Sequence, residues 1–326
     1  MKILIDTCGL DLGYKEILKA VSMLNDKEIQ ISVIGNENIK DDFKNNNIDF
    51  IIANEEISTS EKNPAFAIRK YKDSTLVKGL TLLKNDSFDA FISAGSTGAL
   101  LAGAMLVVGR IPNVKRACLM LPLPNIKYNK KTFLLDVGAN VDIGPEVLLS
   151  FAEMACEYVK NTTKNSSPSI KLLNNGIEEE KGTELTKETH KLLKQSSLNF
   201  TGNIEARYIF ETDADIIVTD GFTGNVLLKS VEGTVNLFKL SLKDLANNSL
   251  KNKLGLGLIY TDLKKQLSSL DSSKVGALPL LGVGKLVMKM HGSSNAEAIY
   301  NSIMASKDLV DSHFIKKLIE IYNNRG

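Results

Sequence analysis

Residues Asp89 to Arg110 read DAFISAGSTGALLAGAMLVVGR, and the fold turns on them. Ala90 to Ile92 form a short apolar run, read as a buried strand. The small polar loop Ser93–Ala94–Gly95–Ser96–Thr97–Gly98 follows at once, and Ala99 to Val108 continue as an almost wholly apolar helix. A strand that feeds a Gly/Ser/Thr loop at a helix N-terminus suits an anion. Glycines let backbone N–H groups approach, hydroxyls add donors, and the helix end carries partial positive charge. Gly98, Ala99, Ala102 and Gly103 leave one helix face bare for close packing. The alternative reading is a tight strand-to-helix turn with no ligand, and recurrence of the pattern favours the site.

Outward from this unit the same alternation repeats. Lys2–Ile5 read as a strand before the loop Asp6–Asp11 and a helix to about Leu24. Strands are expected at Ile29–Ile34 and Phe50–Ala53, with a short helix at Ile39–Asn46 between them. Ile57–Tyr71 read as a charged, irregular surface excursion interrupted by Pro64, before a helix at Ser74–Leu83. Ala117–Leu121 form a strand that Pro122 and Pro124 are expected to end. Thr132–Val137 lead into the loop Gly138–Gly144 and a helix whose Pro145 sits well at a first helical position. Ser169–Leu173 precede the loop Asn174–Gly182 and a helix to Leu193, then a turn near Phe200–Gly202. Ala214–Thr219 precede Asp220–Asn225 and a helix to about Leu240. Residues 245–283, with LKNKLGLGLIYTDLKKQL and VGALPLLGVG, read as an inserted helical arm. Lys285–Met290 and His291–Asn295 then open the helix Ala296–Ala305, and a charged helix closes the chain.

Strands alternating with helices predict a doubly wound α/β/α sandwich with a mostly parallel sheet, read as one domain over 1–326. In such sheets the polar loops at strand carboxyl ends gather along one edge, where ligands bind. Composition agrees with a soluble globular protein: 43% hydrophobic, 24% charged, 40 basic against 38 acidic residues. A net charge of +2 without basic–aromatic clusters argues against nucleic acid. Cys8, Cys118 and Cys156 are too scattered for metal-ligand spacing, which suits a reduced cytoplasmic setting. Met1-Lys2 leads straight into ILID, and no apolar run approaches the roughly 18 residues that span a bilayer. A soluble protein is expected.

Six loops are therefore expected together. They contribute Asp6, Gly9 and Asp11; Ser93, Gly95, Ser96, Thr97 and Gly98; Asp136, Gly138 and Asn140; Asn174, Glu178 and Lys181; Asp220, Gly221, Gly224 and Asn225; and His291, Gly292, Ser293, Ser294 and Asn295. Asp6, Asp136 and Asp220 at strand ends organise loops through hydrogen bonds, hold a cation, or simply cap helices and tie turns. The hydroxyl- and N–H-rich loops point to phosphate or another oxyanion, with Lys181 as point charge and Arg110 as fork. His291 binds phosphate, moves a proton or stabilises its turn, whereas His190 and His313 read as surface or packing residues. GxGxxG after Ile5, GxxxxGK[ST] and GxSxG are all missing, which disfavours dehydrogenases, P-loop kinases and serine hydrolases. Direct attack by a bound oxyanion, needing no protein nucleophile, fits better.

The segments LVKGLTLLKNDSFDAFISAGSTGALLAGAMLVVGR, LLDVGANVDIGPEVLLSFAEMACEYV, ADIIVTDGFTGNVLLKSVEG and MKMHGSSNAEAI together resemble the bacterial phosphate acyltransferase family, PlsX. The resemblance runs in order along essentially the whole chain, with DVGAN, DGFxGN and HGSSN its most specific motifs. It implies a homodimeric α/β/α enzyme moving a fatty acyl group from acyl carrier protein to inorganic phosphate. The acyl-phosphate product would feed phospholipid synthesis through a downstream glycerol-3-phosphate acyltransferase. It also implies a cytoplasmic protein touching the membrane peripherally through the arm at 245–283, although a dimer-interface hairpin is the alternative. No cofactor is expected. Departures from the family pattern fall in ligand loops: Asp6–Thr7–Cys8–Gly9–Leu10–Asp11 with Tyr14 where a proline usually stands, Ser96 for Asn, and Ile177 for an acid.

The resulting expectation is direct attack of phosphate on the thioester carbonyl. Lys181, His291 and Asn225 are the catalytic candidates, with Ser93–Gly98 and His291–Asn295 as the phosphate cradle. A donor from Gly138–Asn140 or Gly224–Asn225 would meet the tetrahedral oxyanion. Arg69, Lys70, Lys72, Lys115 and Arg116 are candidates for docking an acidic carrier protein. The rivals are a paralogue using short acyl-coenzyme A and a catalytically weak membrane-associated scaffold.

Overall fold

Successive strand residues face opposite sides of a sheet, and in this chain both sides are apolar. Ile3 and Ile5 point to one core and Leu4 to another; Ala90 and Ile92 are divided in the same way from Phe91. Such two-sided burial requires helices above and below. The computed structural model describes residues 1–268 and 276–324. Its first half runs β1 (Lys2–Asp6), α1 (Lys15–Ser22), β2 (Gln30–Gly35), α2 (Lys40–Lys44), β3 (Asp49–Ile52), α3 (Pro64–Lys70), α4 (Thr75–Lys84), β4 (Ala90–Ser93) and α5 (Thr97–Gly103). There follow β5 (Cys118–Asn125), β6 (Lys130–Leu135), α6 (Pro145–Thr162), β7 (Ile170–Asn174), α7 (Glu184–Gln195), β8 (Phe200–Glu205) and β9 (Ile216–Val218). The long α8 (Gly221–Asn248) and α9 (Leu250–Ser268) lead to β10 (Leu278–Leu281), β11 (Leu286–Lys289), α10 (Ala296–Asp311) and α11 (Phe314–Asn323).

Among the described residues eleven strands form one sheet in the order β3-β2-β1-β4-β11-β10-β5-β6-β9-β7-β8. The expected mostly parallel α/β architecture holds: β3-β2-β1-β4-β11 are mutually parallel, as are β6-β9-β7-β8. The two halves run in opposite directions, because β10 and β5 join them through three antiparallel ladders. The polar loops therefore do not share one edge, as the sequence suggested. They leave the carboxyl ends of two half-sheets that face each other across a narrow waist, where β10 and β5 pair only at Leu280–Leu119 and Leu281–Cys118.

The cores show the same division. On one face a single cluster continues across the whole sheet, from Ile3 and Ile92 to Leu135, Ile170 and Val218, packed against α1, α6, α10 and α11. On the other face it splits: Leu4, Phe91 and Val287 lie under α3, α4 and α5, while Leu134, Leu173 and Ile217 lie near α8. Leu119 packs against both of these separate clusters. A cleft opens at that break.

Four local expectations change. Pro122 and Pro124 do not end β5, which continues to Asn125 against β6; they lie beyond the β10 pairing, where a missing N–H costs no ladder bond on that side. Pro64 does not merely interrupt a loop but starts α3, with Asn63 accepting from the Phe66 N–H as its cap. Phe200–Gly202 are not a turn but the start of the edge strand β8, where Phe200 meets the buried His190 ring edge-on at 4.9 Å. The segment at 277–283 belongs to the sheet, since Ala277, Leu278, Leu280, Leu281 and Val283 are all buried. The arm is instead the outer part of α8 with α9; the rest of the proposed arm, 269–275, lies outside the described residues.

Candidate active site

Two buried aspartates organise the facing loops. Asp6 ends β1, fully buried, and accepts from the Cys8 N–H at 2.9 Å and the Ser93 hydroxyl at 2.8 Å. Ser93 Oγ in turn accepts from the Gly95 N–H at 3.0 Å, so one carboxyl shapes both the first loop and the Ser93–Gly98 loop. Burial pushes the Asp6 carboxyl up to about 6, against the opposing pull of these donors. Gly9 has φ +80°, and a Cβ there would stand 2.6 Å from the Ala94 carbonyl carbon and oxygen, so only glycine lets the loops meet.

Asp136 does the same work in the other half. Leu119 N–H donates at 3.0 Å and Ala139 N–H at 3.3 Å to one oxygen; Asn140 donates from its backbone at 2.7 Å and its side chain at 3.0 Å to the other. Burial raises this carboxyl too. Asn140 O accepts from the Gly221 N–H at 2.7 Å, tying in the start of α8. Gly224 lies so close that a Cβ would fall 2.0 Å from the Asp136 carbonyl oxygen. Asp6 and Asp136 thus serve as hydrogen-bond hubs. Asp220 is a helix cap, accepting from the Thr223 N–H and hydroxyl at 2.9 and 2.6 Å.

The cleft between the half-sheets has a volume of about 520 Å³. Gly9, Asp11, Gly95, Ser96, Thr97, His291 and Gly292 line it from the first half; Gly138 and Asn225 line it from the second. Part of its wall is apolar, formed by Leu119, Met120, Leu121, Val137, Leu228, Leu278 and Met290. Ser96 accepts from the Ala99 N–H as cap of α5, so the change from Asn leaves the helix start intact. Asp11 N–H donates to the Gly292 carbonyl at 2.8 Å, joining the first and last loops. Ser293 N–H and hydroxyl both approach His291 Nδ1, at 3.2 and 2.8 Å. Nδ1 is thus the acceptor, which puts the neutral ring's proton on Nε2.

Other candidates sit outside the cleft lining. Asn295 caps α10 through the Ala298 N–H, and Ser294 is buried, its Oγ without a partner among the described residues. Asn174 donates to the Lys181 carbonyl at 3.0 Å, and Glu178 O accepts from the Lys181 N–H and from Asn203. These bonds fold the Asn174–Gly182 loop on itself, with the Lys181 side chain exposed. Cys8 is no activated nucleophile: burial pushes its thiol up to about 12. Tyr14, at the family's proline position, precedes α1 and donates to Asp42 at 2.6 Å.

The lining also includes Thr59, Lys229, Glu232 and Lys289, none of which the sequence reading singled out. Lys229 and Glu232 look like an ordinary helical i,i+3 ion pair, 2.7 Å apart. Lys289 had one signal, a lone lysine closing the otherwise apolar strand LVMK.

The fold is one that solved phosphotransacylases share. The fold resembles the phosphotransacetylase EutD from Staphylococcus aureus (TM-score 0.58, 16% identity, 95% of this chain and 94% of that one). It equally resembles a branched-chain phosphotransacylase from Enterococcus faecalis (TM-score 0.58, 16% identity, 95% and 99%). The sequence matches the family model described as fatty acid synthesis protein over residues 1–317, and the chain belongs to that family of enzymes. It is 41% identical over 320 residues to the phosphate acyltransferase of Thermoanaerobacterium thermosaccharolyticum, covering 98% of this chain and 96% of the relative. With the phosphate acyltransferase of Oceanobacillus iheyensis it shares 42% over 313 residues, covering 95% and 94%.

Proposed function

We propose that this enzyme transfers a fatty acyl group from the thioester of acyl carrier protein to inorganic phosphate, releasing acyl-phosphate for phospholipid synthesis. The observation that carries this reading is the two-sided cleft: polar loops suited to an anion face an apolar wall suited to an acyl chain. A phosphate oxygen attacks the thioester carbonyl, the carbon–sulfur bond breaks, and the thiolate leaves with the electron pair. A thiol is acidic enough, near 8.5, that the leaving group needs little protonation. Asn225, beside Gly138 in the second half, is suited to donate to the tetrahedral oxyanion, an effect of about 3–4 kcal/mol in other acyl transfers. His291 Nε2–H and the N–H groups of Ser96 and Thr97 are suited to the phosphate oxygens. Lys181 would reach the reacting groups only if its exposed side chain swings toward the cleft or a second copy brings it there.

Several finer features belong to the same proposal. No helix among the described residues is long and apolar enough to cross a membrane. The outer part of α8 and α9 nevertheless expose Leu237, Phe238, Leu240, Leu250, Leu254 and Leu258, the last 86% accessible. Apolar side chains among lysines support peripheral lipid contact of a cytoplasmic enzyme. A homodimer that covers part of this face is the alternative outcome. The product would pass to a glycerol-3-phosphate acyltransferase. The test is to trap acyl-phosphate with hydroxylamine after incubating purified protein with phosphate and long-chain acyl carrier protein. Product from that donor supports the reading; product only from short acyl-coenzyme A moves the donor assignment; silence with every donor overturns the activity.

A further inference from the structure

Lys289 is the last residue of β11 and stands where the two half-sheets face each other. An ammonium has three N–H donors. Two of those on Lys289 are directed at the carbonyls of Met290 (2.6 Å) and Ala94 (3.1 Å), which leaves one for the cleft it lines. Among the described residues no carboxylate lies within 4.0 Å of its Nζ. The other cleft lysine, Lys229, is satisfied by Glu232. A half-buried cation without a contact counter-ion loses part of the solvation that a partner normally offsets.

We propose that Lys289 is the cation that holds phosphate in this cleft, and that the missing counter-charge is the phosphate itself. This rests on the reading that phosphate binds between these loops. The two carbonyls fix the ammonium beside Ala94, close in sequence to the Ser96 and Thr97 donors, so a phosphate oxygen meets the charge and the loop N–H groups together. Burial draws Lys289 down to about 8, while Asp6 and Asp11 act more weakly in the opposite sense. His291, from the loop after β11, and the Lys229–Glu232 pair of α8 complete the charged groups around the cleft. Phosphate binding needs the ammonium, present below about pH 8 and lost above it.

Calorimetric titration of the purified protein with inorganic phosphate tests this without any acyl donor. Wild type is expected to bind at pH 7 and about tenfold more weakly at pH 9, the fraction of ammonium a group of this acidity retains. Lys289→Met, an apolar isostere whose fold is checked by circular dichroism, is expected to lose at least tenfold at pH 7. Lys289→Arg keeps its charge and is expected to bind equally at both pH values. Wild-type affinity in Lys289→Met, a pH 9 loss that survives in Lys289→Arg, or no phosphate binding by wild type each overturns the proposal. Acyl-phosphate formation with unchanged phosphate affinity in Lys289→Met refutes this inference alone. Lysine-dependent phosphate binding without product from any donor refutes the proposed activity alone.

Discussion

Asp6→Asn isolates the free energy held in the buried carboxyl that shapes two of the cleft loops. Asn keeps the geometry: Oδ1 still accepts from Cys8 N–H, and Nδ2 faces Ser93 Oγ, whose hydroxyl can turn to accept. What disappears is the charge. Asp6 moves from an ordinary 3.8 to about 6 in the folded protein. The native state therefore binds the extra proton between those values, and stability falls as pH rises through that window. Below pH 3.8 the penalty is absent; well above 6 it is complete, at about 3 kcal/mol. Within a workable range, wild type should lose about 1.4 kcal/mol relative to Asp6→Asn on going from pH 5 to pH 8. Urea unfolding of both proteins at the two pH values measures it, and using the difference between variants cancels every other titrating group. A gap that stays constant from pH 5 to pH 8 would refute a raised Asp6.

The remaining predictions concern chemistry, packing and surface. Asn225→Ala should lower kcat about 10²- to 10³-fold if its amide meets the oxyanion, and Lys181→Ala should cut turnover severely with the fold intact; steady-state rates near wild type remove either residue from the mechanism. Gly224→Ala places a methyl against the Asp136 carbonyl oxygen and should destabilise the fold by about 3 kcal/mol or more, read as a lowered urea midpoint. Replacing Leu250, Leu254 and Leu258 together by Glu should abolish sedimentation with anionic vesicles while leaving unfolding unchanged, because all three are exposed; undiminished vesicle binding would reassign the arm.

The Asp6 and Lys289 sites are electrostatically joined. Asp6 sits inside the sheet edge and Lys289 at its rim, each perturbed mainly by burial. Neither finds the other at ion-pair distance, so the pair leaves charge available to the cleft rather than neutralising itself. A folded protein tolerates such an arrangement at a site more readily than elsewhere, since the ligand completes it.

Much of this was legible in one dimension. Apolar runs such as Ile3–Ile5 and Ala90–Ile92, each followed by a glycine loop and a helix, specify a parallel α/β sheet because both strand faces need cover. Local chemistry likewise offered Asp220 a cap role at a helix start, since a side-chain cap acts within three residues of itself. Long-range pairing was not legible. That β10 and β5 reverse the sheet depends on Leu280 and Leu281 finding Leu119 and Cys118, more than 150 residues away in sequence. This pairing turned one expected ligand edge into two facing ones, carried 277–283 from the arm into the core, and brought Lys289 to the cleft while Lys181 stayed outside its lining. Pro122 and Pro124 misled for the same reason: whether a missing N–H ends a strand depends on the neighbour on that side, and only tertiary structure supplies the neighbour. Periodicity and caps are properties of contiguous residues, so the sequence alone determined them; which loops meet, and which charges face one another, was decided by the sheet.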